Sequence, residues 1–459
     1  MQRREVISSM VGALAAVGVA PAIAAAPRRK PNFIVIYCDD LGYGDIGPMG
    51  GRDIPTPRLD RMAREGVVLT DYYAPNNVCS PSRAGLLTGR YPVRTGVPRV
   101  LLRADTGGLK VDETTIAGAL KPDYASALIG KWHLGHVAPH WPPTRFGIDH
   151  FFGIPYSHDI DPLKLYAFDG DKASGEWDVD FPRLQQQFCE RALAFIDANH
   201  ARPFFLELAL SGPHLPNYPA PGMAGRSKNA GAYGDVVMEI DGIVGRVLDH
   251  LKAAGLDDDT LVIFTSDNGP WYEGSTGGLR QRKGGGAYDG GYRVPFIARW
   301  PGRIPPGRRS NAIAMGIDML PTFCALADLP TPAGVELDGK DISAVLTRSA
   351  PSPHDELLLF QGEEVVGVRT QQWKYVDADF YMNYFVYLEG QGYPQLYDMR
   401  DPREQYSVAS LHPDVVRAMR ARLTRATAAF AKYRTPGAPS VSDQAKSRPP
   451  HHLPDEWQD

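Results

Sequence analysis

The sequence predicts an α/β protein, with a large, mainly parallel sheet flanked by helices and a small C-terminal antiparallel sheet plus helix. Three observations carry this reading. Four apolar, β-rich runs, "NFIVIY" (32–37), "RPFFLELAL" (202–210), "TLVIFTSDNG" (260–269) and "VPFIARW" (294–300), are separated by helix-like segments. Continuous apolar strands of this kind are buried on both faces, as parallel sheets require. Past about residue 350 the texture changes to short strand candidates, "VVGVRT", "WKYV" and "QLYDM". A helix then runs from about Pro413 to Tyr433, with Val416, Met419, Leu423 and Phe430 recurring on one face that must pack on something.

In chain order, residues 1–26 read as an export signal. An Arg pair precedes an apolar stretch, and Ala22-Ile23-Ala24 fits a peptidase site. The apolar part holds Gly and Ala rather than Leu and is short for a bilayer span, so removal rather than anchoring is expected. Arg3-Arg4 resembles a twin-arginine signal. A periplasmic or secreted bacterial protein follows, handled by export machinery and without a stable membrane span. Residues 27–350 are expected to form the main α/β domain and 351–435 a small α+β subdomain. Residues 436–459, rich in Pro and polar side chains, are expected to be a loose tail.

Composition narrows the partners. The 459 residues are 43% hydrophobic and 22% charged, enough to bury a large core. Forty-nine basic and 53 acidic residues leave a net charge of only -4, with no run of one sign that would track a phosphate backbone, so nucleic acid is not a partner. Four cysteines do not make a disulfide framework, and no CxxC or Cys/His spacing suggests zinc. Cys38, Cys189 and Cys324 read as small buried hydrophobes. Cys79 differs, because a serine, a proline and an arginine follow it.

In parallel sheets ligands lie outside the carboxyl ends of the strands. Cys38-Asp39-Asp40 follows one apolar run, and Asp267-Asn268 lies at the end of another. Either pair alone is ordinary turn and cap chemistry. Together, each after a buried strand, they form a set of hard oxygen ligands suited to Ca²⁺ or Mg²⁺. A thiolate at Cys79 would be a poor partner for such a cation. Oxidation of that thiol to an aldehyde, whose hydrate carries two hydroxyls, removes the mismatch.

The stretch "CSPSRAGLLTG", Cys79 to Gly89, resembles the signature of type I sulfatases, in which the Cys of C-x-P-S-R becomes formylglycine. The resemblance runs from "NFIVIYCDDLGYGDIG" to "LYDMRDPREQYSVA" and points to the arylsulfatase A branch, which "GIPYSHD" (153–159) matches well. It implies an alkaline-phosphatase-like fold and a sulfuric ester hydrolase that uses a formylglycine hydrate and Ca²⁺, with Mg²⁺ second. It also implies a maturation enzyme acting on Cys79. By this resemblance Asp39, Asp40, Asp267, Asn268 and the modified Cys79 are the metal ligands, and Arg83 holds the hydrate. Lys131 binds sulfate, and His133 takes the proton of the second hydroxyl. His214 and Lys283 bind sulfate and protonate the leaving alcohol, and Ser157 is a further sulfate contact.

Lys131 and His133, two residues apart in "GKWHLG", would point to one side of an extended backbone. Three carboxylates, three fixed cations and a divalent metal leave a formal charge of +2, which attracts a sulfate monoester. The substrate is then a sulfated small molecule or glycan. Two departures stand out: Asp123 where the family has Gly, and Gly284-Gly285-Gly286-Ala287 after Lys283. The rival readings are a phosphonate monoester or phosphodiester hydrolase of the same superfamily, and a non-catalytic protein that binds sulfated glycans. Against the second, mere binding does not need proton donors and acceptors such as His133 and His214.

Overall fold

The computed structural model describes residues 29–381, 384–387 and 394–437, so the expected export signal and the expected tail beyond residue 437 lie outside the described residues. Five strands form the parallel centre of a ten-stranded sheet: β1 (Asn32–Asp39), β2 (Ala125–Lys131), β3 (His150–Ile154), β4 (Phe204–Pro213) and β5 (Thr260–Ser266). Their spatial order is β5-β1-β4-β2-β3. In β1, Phe33, Val35 and Tyr37 face one core while Ile34, Ile36 and Cys38 face the other, the two-residue alternation of a strand buried on both sides. The helix Cys79–Thr88, called α1, packs on the first face. Helices α2 (Leu184–Asn199) and α3 (Gly231–Ala253) cover the second.

The expectation of a mainly parallel sheet holds, with antiparallel pairs towards both edges. Strand β6 (Phe296–Arg299), inside "VPFIARW", runs antiparallel to β5. A parallel return needs a long crossover element, and the connection here holds only the four-residue helix Asp289–Tyr292. At the other edge an antiparallel hairpin, Lys164–Asp169 and Lys172–Asp178, extends the sheet beyond β3. Its outer strand is polar and largely exposed, which protects an open edge from pairing with other chains. Among the described residues no helix is long and apolar enough to cross a membrane. All four cysteines are buried and unpaired.

The small sheet has four antiparallel strands: β7 (Leu357–Gln361), β8 (Glu364–Arg369), β9 (Trp373–Val376) and β10 (Gln395–Asp398). The sequence reading began one strand late, because "LLLFQ" shows no polar alternation. Helix α4 (Pro413–Phe430) buries Val416, Met419, Leu423, Ala426 and Phe430, and a short turn, Ala431–Tyr433, completes it. The same core takes in Tyr73, Tyr91, Tyr288 and Met315 from the main sheet's loops, so the two parts share apolar contacts.

A buried ion cluster ties them further. Lys374 of β9 pairs with Asp289, lies 2.8 Å from Glu404 and donates to the Ala287 carbonyl at 3.2 Å. Asp289 also meets Arg293 at 3.2 Å. Replacing Lys374 by Met keeps its stem but leaves buried Glu404 without its cation and Asp289 with Arg293 alone. Lys374→Met should lower stability by about 3–5 kcal/mol, the cost of breaking a buried pair from one side. Urea unfolding of both proteins measures this; an unchanged midpoint would contradict it.

Candidate active site

Each central strand delivers side chains at its carboxyl end. β1 delivers Asp39 and Asp40, β5 Asp267 and Asn268, β4 His214, β2 Lys131, and the turn after β3 Ser157. This is the place where open parallel sheets bind ligands. Asp40 takes a left-handed backbone, φ 67°, a conformation that Asp tolerates better than most residues. Its amide then donates to Asp267 Oδ1 at 3.2 Å, locking the two strand ends together.

The cations meet the acids in pairs. Arg83 Nη2 lies 2.7 Å from Asp267 Oδ2 and 3.7 Å from Asp39 Oδ1, and Arg83 Nη1 donates to the Lys131 carbonyl at 3.2 Å. Lys131 Nζ contacts Asp39 Oδ2 at 2.5 Å. Lys283 Nζ contacts Asp40 Oδ1 at 2.7 Å, and Asn268 Nδ2 donates to the same oxygen at 2.7 Å. His214 Nδ1 lies 2.5 Å from the Leu215 carbonyl, which leaves Nε2 facing Asp40 Oδ2 at 3.6 Å. Ligand atoms of Asp39, Asp40, Cys79 and His214 all fall within 4.8 Å of one another. Asp267 sits beside this group with its oxygens engaged by the Asp40 amide and Arg83.

The residues of "CSPSR" have separate jobs. Cys79 opens α1, and every residue of that helix is buried. Ser82 Oγ donates to the Asn76 carbonyl at 2.7 Å and accepts the Asn76 amide at 3.0 Å, folding the approach to Cys79 back on the helix. Ser80 Oγ accepts the Leu101 amide at 3.1 Å, and the Leu101 carbonyl lies 2.8 Å from His133 Nε2. Cys79's neighbour therefore positions the loop that holds His133.

His133 differs from the extended-backbone expectation. β2 ends at Lys131, and His133 has φ 60°, so the two side chains do not share a strand face. The bend follows Gly130, φ 126°, where a Cβ would lie 1.8 Å from the Ala209 carbonyl oxygen; only glycine fits that approach to β4.

The departures from the family pattern fall into place. Asp123 precedes β2 at the end away from Lys131 and pairs with Lys30. Gly284 and Gly286 adopt φ 73° and 69°, and the segment wraps Asn77, two residues before Cys79. The Gly284 amide donates to the Asn77 carbonyl at 2.9 Å, and Asn77 Nδ2 donates to the Gly286 carbonyl at 2.7 Å. The glycines thus bring the Lys283 loop against the α1 approach.

Burial and charge set the protonation states. Burial pushes the Cys79 thiol up to about 12, although Lys131 and Lys283 pull the other way. Burial and then Lys131 hold His133 well below the usual histidine range, so it is neutral near pH 7. Burial opposes ionisation of Asp39, but Lys131, His214 and Arg83 together keep it well below the usual carboxylate range. In the tightly coupled acid pair, burial and the Asp39 charge push Asp267 up.

Among the buried atoms here without a hydrogen-bond partner in the described residues are Asp39 Oδ1, Asn268 Oδ1, Ser157 Oγ and His133 Nδ1. Buried polar groups rarely stay unpaired. The two hard oxygens suit a cation of the Ca²⁺ or Mg²⁺ type. The hydroxyl suits an anion. Ser80, Ser82, Asn77 and His158 are contributors that the sequence reading did not single out. His158, next to Ser157 in the quoted motif, sets its ring 5.5 Å from His214, edge to face, with Nε2 3.0 Å from the Pro216 carbonyl.

Fold and site define an α/β protein that gathers carboxylates, a buried cysteine and paired lysines at the ends of parallel strands. A family model described as Sulfatase matches residues 31–329, and one described as N-sulphoglucosamine sulphohydrolase, C-terminal, matches residues 286–429. The chain is 37% identical to arylsulfatase A of Homo sapiens, across 89% of this chain and 90% of that protein. It is 37% identical to arylsulfatase G of Homo sapiens, across 70% of each. The PsFucS1 sulfatase of Pseudoalteromonas sp. superposes with a TM-score of 0.82 at 29% identity, covering 88% of this chain and 91% of that one. The chain belongs to the sulfatase family, on its arylsulfatase side. It is an enzyme that hydrolyses sulfate esters.

Proposed function

We propose that this sulfatase cleaves sulfate monoesters with Cys79 converted to formylglycine and with Ca²⁺, Mg²⁺ being second, held by Asp39, Asp40, Asp267, Asn268 and the modified Cys79. The observation that carries it is the approach of Cys79 to Asp39, Asp40 and His214 within 4.8 Å, bordered by Lys131 and Lys283. Together the hydrated aldehyde and the cation supply a hydroxyl that is nucleophilic at neutral pH.

The chain's own residues do the rest. Arg83, fully buried and fixed by Asp267 and the Lys131 carbonyl, holds the nucleophilic residue's oxygens in place. Lys131 Nζ, Lys283 Nζ and Ser157 Oγ bind the sulfate oxygens. His214 Nε2, left free by the contact at Nδ1, gives the leaving alcohol its proton. His133 Nδ1, whose partner nitrogen is committed to Leu101, takes the proton of the second hydroxyl so that sulfate departs.

The proposal extends to a maturation enzyme that oxidises Cys79 and to export by the signal at 1–26 into the periplasm or medium. It also takes 27–350 as the catalytic domain and 351–435 as a subdomain that supports it. A kinetic comparison tests the reaction class. A site of charge +2 attracts a phosphate monoester more than a sulfate, so selectivity must arise in the transition state, where sulfuryl transfer places less charge on the nonbridging oxygens. An aryl sulfate is expected to show a higher kcat/KM than the matched aryl phosphate, phosphodiester and phosphonate monoester on one preparation. A diester or phosphonate turning over faster would replace the sulfatase reading by the phosphohydrolase one.

A further inference from the structure

The catalytic cluster opens into a cavity of about 340 Å³ whose floor is Asp40, His214 and Lys283 and whose walls are Trp271, Leu215, Pro216 and Asp159. His214 and Lys283 are the residues placed at the leaving-group side, so these walls surround the alcohol part of the ester. Apart from the Leu215 carbonyl that holds His214, the wall residues have no part in the chemistry above.

The walls are built from two kinds of group. Trp271 follows Asn268-Gly269-Pro270 directly and is 41% exposed, an unusual position for so large an apolar ring. It is nonetheless held firmly. The Arg282 guanidinium donates to the Trp271 carbonyl at 2.7 Å and lies 5.2 Å over the Tyr272 ring, which meets Trp271 edge on at 4.8 Å. Facing the same cavity is Asp159, an exposed carboxylate with no ion pair among the described residues. Tyr218, stacked on Phe181 at 4.7 Å and 6.0 Å from His158, adds a third exposed ring beyond His214.

Resting on the sulfatase reading, we infer that Trp271 and Asp159 form a leaving-group subsite for a pyranose ring, and that the substrate is a singly sulfated, otherwise uncharged sugar. An aromatic face covers the C–H face of a pyranose, and a carboxylate accepts hydrogen bonds from neighbouring hydroxyls. A plain aryl group would use the ring and leave Asp159 idle. A second sulfate on the sugar would meet the Asp159 charge. The cavity volume lies at the lower end of small-molecule sites and fits one sugar rather than a chain.

Binding without turnover tests this. Full-length Cys79→Ala protein is titrated calorimetrically with a methyl hexopyranoside 6-sulfate, with its disulfated counterpart and with methyl sulfate. The pyranoside sulfate should bind at least about tenfold more tightly than methyl sulfate, and the disulfate no more tightly than the monosulfate. Adding Trp271→Ala, Asp159→Ala or Asp159→Asn should each erase most of that sugar advantage; both positions are exposed enough that folding is spared. Equal binding of pyranoside sulfate and methyl sulfate, or a sugar advantage that survives all three changes, overturns the subsite while the oxyanion site stands. Loss on Trp271→Ala alone replaces the sugar by an aryl group, and tighter binding of the disulfate overturns the uncharged-sugar assignment. Failure to bind any of the sulfates overturns the sulfatase reading and this subsite with it.

Discussion

Cys79→Ala is expected to lower sulfate-ester turnover by about 10⁶-fold, the scale seen when a catalytic nucleophile is deleted. The side chain is 2% exposed and lies in the first turn of α1, where Ala fits without rearrangement. Stability should therefore change by no more than about 1 kcal/mol. Activity and thermal melting on the same preparation separate loss of chemistry from loss of fold. The wild-type peptide that contains Cys79 should weigh as the aldehyde in active enzyme. A fully active preparation carrying only thiol would refute the formylglycine proposal, and an Ala variant with appreciable turnover would remove Cys79 from the reaction altogether.

The second large effect is expected at Asp40. Its carboxylate accepts from Lys283 and Asn268 at 2.7 Å each and faces His214 at 3.6 Å, so three site residues depend on one charge. Asp40→Asn keeps the volume and removes the charge without exposing a buried arginine, which Asp267→Ala would do to Arg83. Metal content measured by elemental analysis should fall from one ion per chain to well below one. Turnover should fall by at least about 10³-fold, the worth of several kcal/mol of lost charge stabilisation. Stoichiometric metal with undiminished turnover in that variant would show that Asp40 is not a ligand.

Much of this was legible before any coordinates. The parallel centre could be read because β1, β4 and β5 are buried on both faces and so are apolar without interruption. The acid pairs could be read because a parallel strand must release its chain at the carboxyl end, where polar residues first become tolerable. Cys79 stood out because it opens a stretch that resembles the type I sulfatase signature, and the family match bears out that membership. The α4 stripe could be read from spacing alone, since helical period and burial coincide there.

Other features had no local signal. The antiparallel edge at β6, the hairpin beyond β3 and the strand "LLLFQ" depend on which neighbour a strand finds, and an apolar run looks the same in either direction. The glycine at 130 is required by the approach of Ala209, in a strand almost eighty residues away in sequence. Ser80 acts through Leu101 on His133, and Asn77 through Gly286 on the Lys283 loop. Trp271 and Asp159 share a cavity although more than a hundred positions separate them.

By itself the sequence determined the residue types gathered at the strand ends, the alternation that buries the central strands, and the motif that ties the chain to its family. Those are properties of a side chain or of a short periodic segment. Tertiary structure alone decided the edge-strand directions, the left-handed turns at Asp40 and His133, the pairing of each lysine with its carboxylate, and the walls around the leaving group. The reason is physical: these depend on atoms brought within a few ångströms by packing of distant segments, and local spacing contains no information about that approach.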